Sequence, residues 1–151
     1  MESDIQEYLI LLLAHERVLL PISMVRIVLA IPALKTIPDQ DPAFKGLLNF
    51  HGTGIAVYEL SKLIDPSLPF EITLDTPLVL TQISEGAMGI LVSEVIDMVK
   101  IPNALLQTPL PDAMPFVKAI YENQNEAAWV LDLEKLVQYH RLRLKHEMSH
   151  E

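Results

Sequence analysis

The chain has 151 residues, half of them hydrophobic and 21% charged, so it can bury a sizeable core as one domain or as two small subdomains folded against each other. It contains no cysteine, which excludes disulfides, thiolate metal sites and a cysteine nucleophile and fits a reducing compartment. Its net charge of −9 is the wrong sign for gripping phosphates, so nucleic acid is not an expected partner.

The first predicted strand is the apolar run from Tyr8 to Ala14, far short of the roughly 20 residues that cross a bilayer. The acidic start Met-Glu-Ser-Asp is unlike a secretory signal, and a cytoplasmic protein without membrane insertion is expected. His15-Glu16-Arg17 reads as a turn into a second strand from Val18 to Ile22. Pro21 donates no ladder hydrogen bond, so that strand lies at an edge or ends there. Ser23 can cap a helical turn before extended structure resumes over Val25 to Ile31. Lys35 to Asp41 is a loop, after which Asp41 and Pro42 suit the cap and first position of a short helical turn that Gly46 closes.

Lys45 to Leu60 is the clearest β-hairpin signal, two half-buried apolar strands around a glycine turn. The reversal is expected at Thr53, between Gly52 and Gly54, because glycine accepts positive φ without a Cβ penalty. Leu60 to Ile64 forms a short helical turn, and the polar stretch from Asp65 to Leu74, with Pro66 and Pro69, is a crossing segment. Strands follow at Pro77 to Ile83 and Met88 to Val92, joined through Ser84-Glu85-Gly86, and Gln107 to Pro115 is a second proline-rich loop. Trp129 sits in an apolar strand and is assigned to the core. Leu133, Leu136, Val137 and Leu144 recur at helical spacing behind a capping Asp132, giving a C-terminal amphipathic helix over 132–145 with a fraying end.

The chain is one β-rich module written twice. Pro42 to Ile64 aligns without a gap on Pro115 to Val137, matching Lys45 with Lys118, Val57 with Val130, Glu59 with Asp132, Leu60 with Leu133 and Lys62 with Lys135. Leu20 to Pro32 aligns on Ile90 to Pro102, matching Ser23 with Ser93, Val25 with Val95, Ile31 with Ile101 and Pro32 with Pro102. Two small β-barrels side by side are expected, the first over about 15–75 and the second over about 76–131, with the N-terminal strand and the C-terminal helix packing across both.

These pieces, in this order, resemble the CheW-like domain from about Tyr8 to Val137. The family's early small-Ser/Lys-x-Val-Arg-x-Ile segment is matched by Pro21-Ile22-Ser23-Met24-Val25-Arg26-Ile27-Val28, and the Lys-Gly hallmark by Lys45-Gly46-Leu47-Leu48-Asn49-Phe50-His51-Gly52 with Glu59-Leu60 after it. Gly89-Ile90-Leu91-Val92-Ser93-Glu94-Val95 matches a third family segment, and His51 stands where the family usually has an arginine. The resemblance implies a mainly β fold of two SH3-like five-stranded barrels, and a coupling role without catalysis or cofactor in chemotaxis or a related pathway such as twitching motility. The implied partners are the regulatory domain of a CheA-type histidine kinase and the cytoplasmic tip of a methyl-accepting chemoreceptor. The implied partner-binding residues are Val25, Arg26, Ile27, Gly46, Asn49, His51 and Gly52, with Val99 opposite from the second barrel.

Other chemistry has little support. Ordinary core packing is the competing reading for Val25, Ile27 and Val99. His146 and His150 have helical metal-ligand spacing, with His140 nearby, but nothing in the sequence completes a ligand set. Gly52-Thr53-Gly54 lacks the rest of a phosphate loop, and no Gly-x-Ser-x-Gly elbow presents a nucleophile. A small-ligand-binding β-barrel is the alternative to a coupling module.

Overall fold

The alternation of apolar and polar residues produces ten strands and two helices in the computed structural model, which describes residues 4–31 and 33–149. Pro32 and His150 lie outside the described residues, and with them the Pro32/Pro102 match and the His146/His150 spacing. The first half runs β1 (Ile5–Leu13), β2 (Glu16–Pro21), β3 (Val25–Ala30), β4 (Phe44–Phe50), β5 (Thr53–Glu59) and α1 (Leu60–Ile64). The second half repeats that order as β6 (Pro77–Ile83), β7 (Gly86–Leu91), β8 (Glu94–Pro102), β9 (Val117–Asn123), β10 (Glu126–Leu131) and α2 (Leu133–Ser149). None of the described helices is long and apolar enough to cross a membrane.

The strands form two five-stranded sheets, ordered β3-β6-β7-β5-β4 and β8-β1-β2-β10-β9. Replacing each strand by its counterpart in the other half converts one order into the other, so the duplication is a pseudo-symmetry of the fold. The register agrees too: Val57 lies opposite Gly89 across the parallel β5/β7 pair, and their counterparts Val130 and Leu19 face each other across β10/β2. Even the isolated bridge from Lys35 to Leu47 returns as Gln107 to Ile120.

The two halves exchange strands, which corrects the expected division at about 15–75 and 76–131. One barrel is β3 to β7, and the other takes β1 and β2 from the start of the chain and β8 to β10 from its end. The 3₁₀ turn over Ile22–Met24 redirects the chain after β2, so that β3 pairs with β6 rather than folding back on its own half. Pro21 ends β2, which is interior to its sheet, and Ser23 makes no side-chain cap on the turn.

Each barrel has its own small core. Leu48, Ile55, Val57, Leu78, Leu80 and Leu91 fill the first, and Tyr8, Leu19, Ile101, Ala119 and Val130 the second. The largest cluster lies between them, where Leu11, Leu20, Leu60, Ile90, Leu131, Leu133 and Leu136 bring both barrels and both helices together. Phe116, Trp129 and Tyr139 close one side of it, with Phe116 ring centroids 5.9 Å from Trp129 and 5.4 Å from Tyr139. Asp132 caps α2, its Oδ1 accepting from the Lys135 amide at 3.1 Å. The helix continues to Ser149 rather than fraying from 145.

Candidate functional site

A bulge near the start of β3 sets the first element of the site. Val25 pairs with Thr81 and Ile27 with Leu80, so Arg26 is the extra residue between them. A bulge bends its strand and re-aims the inserted side chain, and here Arg26 is exposed with Ile27 and Val28 beside it, 41% and 40% exposed.

The β4–β5 hairpin supplies the second element. Phe50 pairs with Thr53, which leaves His51 (φ 50) and Gly52 (φ 85) as the two turn residues. Positive φ at both positions is the type I′ turn whose twist matches flanking strands. The reversal thus falls at His51-Gly52, with Thr53 and Gly54 already inside β5. Asn49 supports the turn, its Oδ1 accepting from the Gly52 amide at 3.0 Å. The second half has the same turn at Gln124 and Asn125.

Phe50 joins these elements. The Arg26 guanidinium carbon lies 6.0 Å from the Phe50 ring centroid, and the His51 ring meets Phe50 nearly edge-on at 4.4 Å. Arg26, Ile27, Asn49, His51 and Gly52 thus occupy one exposed end of the first barrel, and Phe50 is the member that sequence reading passed over. Its signal was its place inside the Lys-Gly hallmark, immediately before His51.

The other expected site residues are placed differently. Val25 packs against the core between the barrels, and so does its counterpart Val95. Val99 packs inside the second barrel, paired with Tyr8. Gly46 is buried, and a Cβ there would stand 2.8 Å from the Lys35 carbonyl oxygen, so its φ of 147 and its bareness serve the Lys35–Leu47 bridge.

Two buried ionic groups fix the surroundings. Glu59, 1% exposed, lies 3.0 Å from Lys45 Nζ and 3.4 Å from Lys62 Nζ. Asp41 faces the buried His140 ring at 2.9 Å, and the expected helical turn after it is a single turn in which the Ala43 amide donates to Asp41 Oδ1 at 2.8 Å. Burial pushes the Asp41 carboxyl up, but the hydrogen bonds from His140 and Ala43 outweigh it and hold the group below its ordinary value. Among the described residues no three histidine, aspartate or glutamate side chains gather where a metal ion could sit.

The model of the CheW-like domain matches residues 7–141. The crystal structure of the scaffolding protein TtCheW from Thermoanaerobacter tengcongensis is similar in fold, with a TM-score of 0.77 at 22% identity over 87% of this chain and 86% of that one. No curated protein sequence matches significantly.

Proposed function

The chain belongs to the CheW-like domain family, and from that premise we propose that it is a non-catalytic coupling protein of a chemosensory pathway. It joins the cytoplasmic tip of a methyl-accepting chemoreceptor to the regulatory domain of a CheA-type histidine kinase, and it works in the cytoplasm, where both partners present these parts. The two barrels act as a rigid spacer, so the signal passes through geometry and not through a reaction.

The observation that carries this reading is the convergence of Arg26, Phe50 and His51 from a strand bulge and a hairpin turn that are distant in sequence. Exposed Ile27 and Val28 beside a cation stacked on an aromatic ring make an apolar anchor with a charged rim. That combination suits the side of a helical hairpin, in which a few buried side chains carry most of the affinity. Val25, Asn49 and Gly52 support this face from behind and beside it.

Co-elution of the purified chain with a CheA regulatory domain and with a receptor-tip fragment tests the proposal. Both complexes are expected, and Arg26→Ala weakens the receptor complex by about tenfold. Failure to bind any CheA-type kinase of the same organism overturns the coupling role.

A further inference from the structure

A cavity of about 610 Å³ opens between the β1–β2 turn, the end of α1 and the crossing segment, and none of its lining residues belongs to the Arg26–His51 face. Its volume falls within the range of small-molecule sites. Leu13, Ile64, Leu68 and Phe70 give it apolar walls.

The pseudo-symmetry explains why the space is open. Ser61 lies between Leu60 and Lys62 as Glu134 lies between Leu133 and Lys135, and Ala14 occupies in the β1–β2 turn the place of Ser84 in the β6–β7 turn. In the second half Glu134 Oε1 accepts from the Ser84 amide at 2.8 Å. In the first half the helix contributes only a hydroxyl. Ser61 is 7% exposed and its Oγ has no hydrogen-bond partner. The Ala14 amide reaches Ser93 Oγ at 3.4 Å, at the outer limit of a hydrogen bond. In addition, α1 ends at Ile64, whereas α2 continues to Ser149. A carboxylate and a longer helix leave only about 150 Å³ at the symmetry-related place, beside Ile83, Glu85, Val137 and Arg141, whereas their counterparts leave about 610 Å³ in the first half.

We propose that this cavity binds a small apolar molecule through one uncharged carbonyl group, whose oxygen takes the place that the Glu134 carboxylate holds in the other half. The oxygen accepts from the Ala14 amide and, after rotation of its hydroxyl, from Ser61, while the apolar body lies against Ile64, Leu68 and Phe70. An unsatisfied buried hydroxyl is costly, so a group that satisfies it gains affinity beyond apolar contact. Charge selects against an anion: Glu16 and Glu71 line the opening, and no lysine or arginine does. An ammonium offers no lone pair to the Ala14 amide. The inference is independent of the coupling role.

Three probes of matched size separate these possibilities: 4-butylbenzamide, 4-butylbenzoate and 4-butylbenzylamine, titrated into the ¹⁵N-labelled chain of 151 residues. The amide is expected to shift the Ala14 and Ser61 resonances saturably and to bind about fivefold or more tighter than either charged probe. Ser61→Glu supplies the missing carboxylate from within and lowers the amide's affinity by about tenfold or more. Should that variant fail to fold, Leu68→Ser, at a residue 41% exposed, weakens the amide about threefold and decides instead. Equal binding of the three probes, no saturable binding by any, or undiminished binding in the folded variants each overturns the proposal.

Discussion

The His140 ring nitrogen Nε2 stands 2.9 Å from both carboxylate oxygens of Asp41, across 99 positions of sequence. The other ring nitrogen, Nδ1, lies 2.9 Å from Arg143 Nη2. A guanidinium only donates, so Nδ1 accepts and the ring proton faces Asp41. Arg143 also donates to the carbonyl oxygens of Ile64 at 2.8 Å and Leu63 at 2.9 Å, satisfying the free end of α1. One imidazole thereby ties the loop before β4, the end of α1 and the body of α2 together.

Asp41→Asn is expected to lower stability by about 2 kcal/mol at pH 7, because it removes a charged acceptor from two hydrogen bonds. The folded-state carboxyl sits below its ordinary value of 3.8, so its contribution is present above that pH and is lost as pH falls through the folded-state value. The stability difference between parent and variant, followed by urea unfolding, narrows below about pH 4. A difference that grows on acidification contradicts the assignment.

Gly46→Ala is expected to cost about 2 kcal/mol or more, since the new methyl meets the Lys35 carbonyl oxygen at 2.8 Å and the backbone holds a φ of 147. Its counterpart Ala119 shows that an ordinary φ accommodates the side chain in the other half. Ala119→Gly is accordingly mild, and a urea midpoint shift as large as that of Gly46→Ala counts against the close-approach argument.

His51→Gly separates fold from function. Glycine relieves a left-handed residue in the turn and raises stability by about 0.5 kcal/mol. The same change removes the ring from Phe50 and weakens receptor-tip binding by about fivefold, while His51→Arg leaves binding unchanged or tighter. Calorimetric titration of the three proteins checks the order, and tighter binding by the glycine variant removes His51 from the contact face.

Cleavage at Leu74, 91% exposed in the crossing segment, is expected to leave a single native particle. Each barrel draws strands from both sides of the cut, so the fragments stay associated on size exclusion. After separation in urea each fragment is unfolded alone, and mixing restores the β-sheet circular dichroism signal. A fragment that folds by itself excludes the exchanged topology.

The sequence alone determined much of what depends on neighbours along the chain, though it put the hairpin reversal at Thr53 where the turn is His51-Gly52. The bounds of α1 and of β6 follow from apolar period and proline placement, and the duplication follows from aligning Lys45, Glu59 and Lys62 with Lys118, Asp132 and Lys135. Arg26 and His51 were legible as outward-facing because polar side chains among half-buried strands point to solvent. Only the tertiary structure decided which strands share a barrel, because the parallel pairs β5/β7 and β2/β10 are set by packing between distant segments, on which local propensity is silent. It also decided where each valine packs. The bulges at Arg26 and Ile96 shift every later side chain by one position, which leaves Val95 in the shared core with Val25 and turns Val99 into the second barrel.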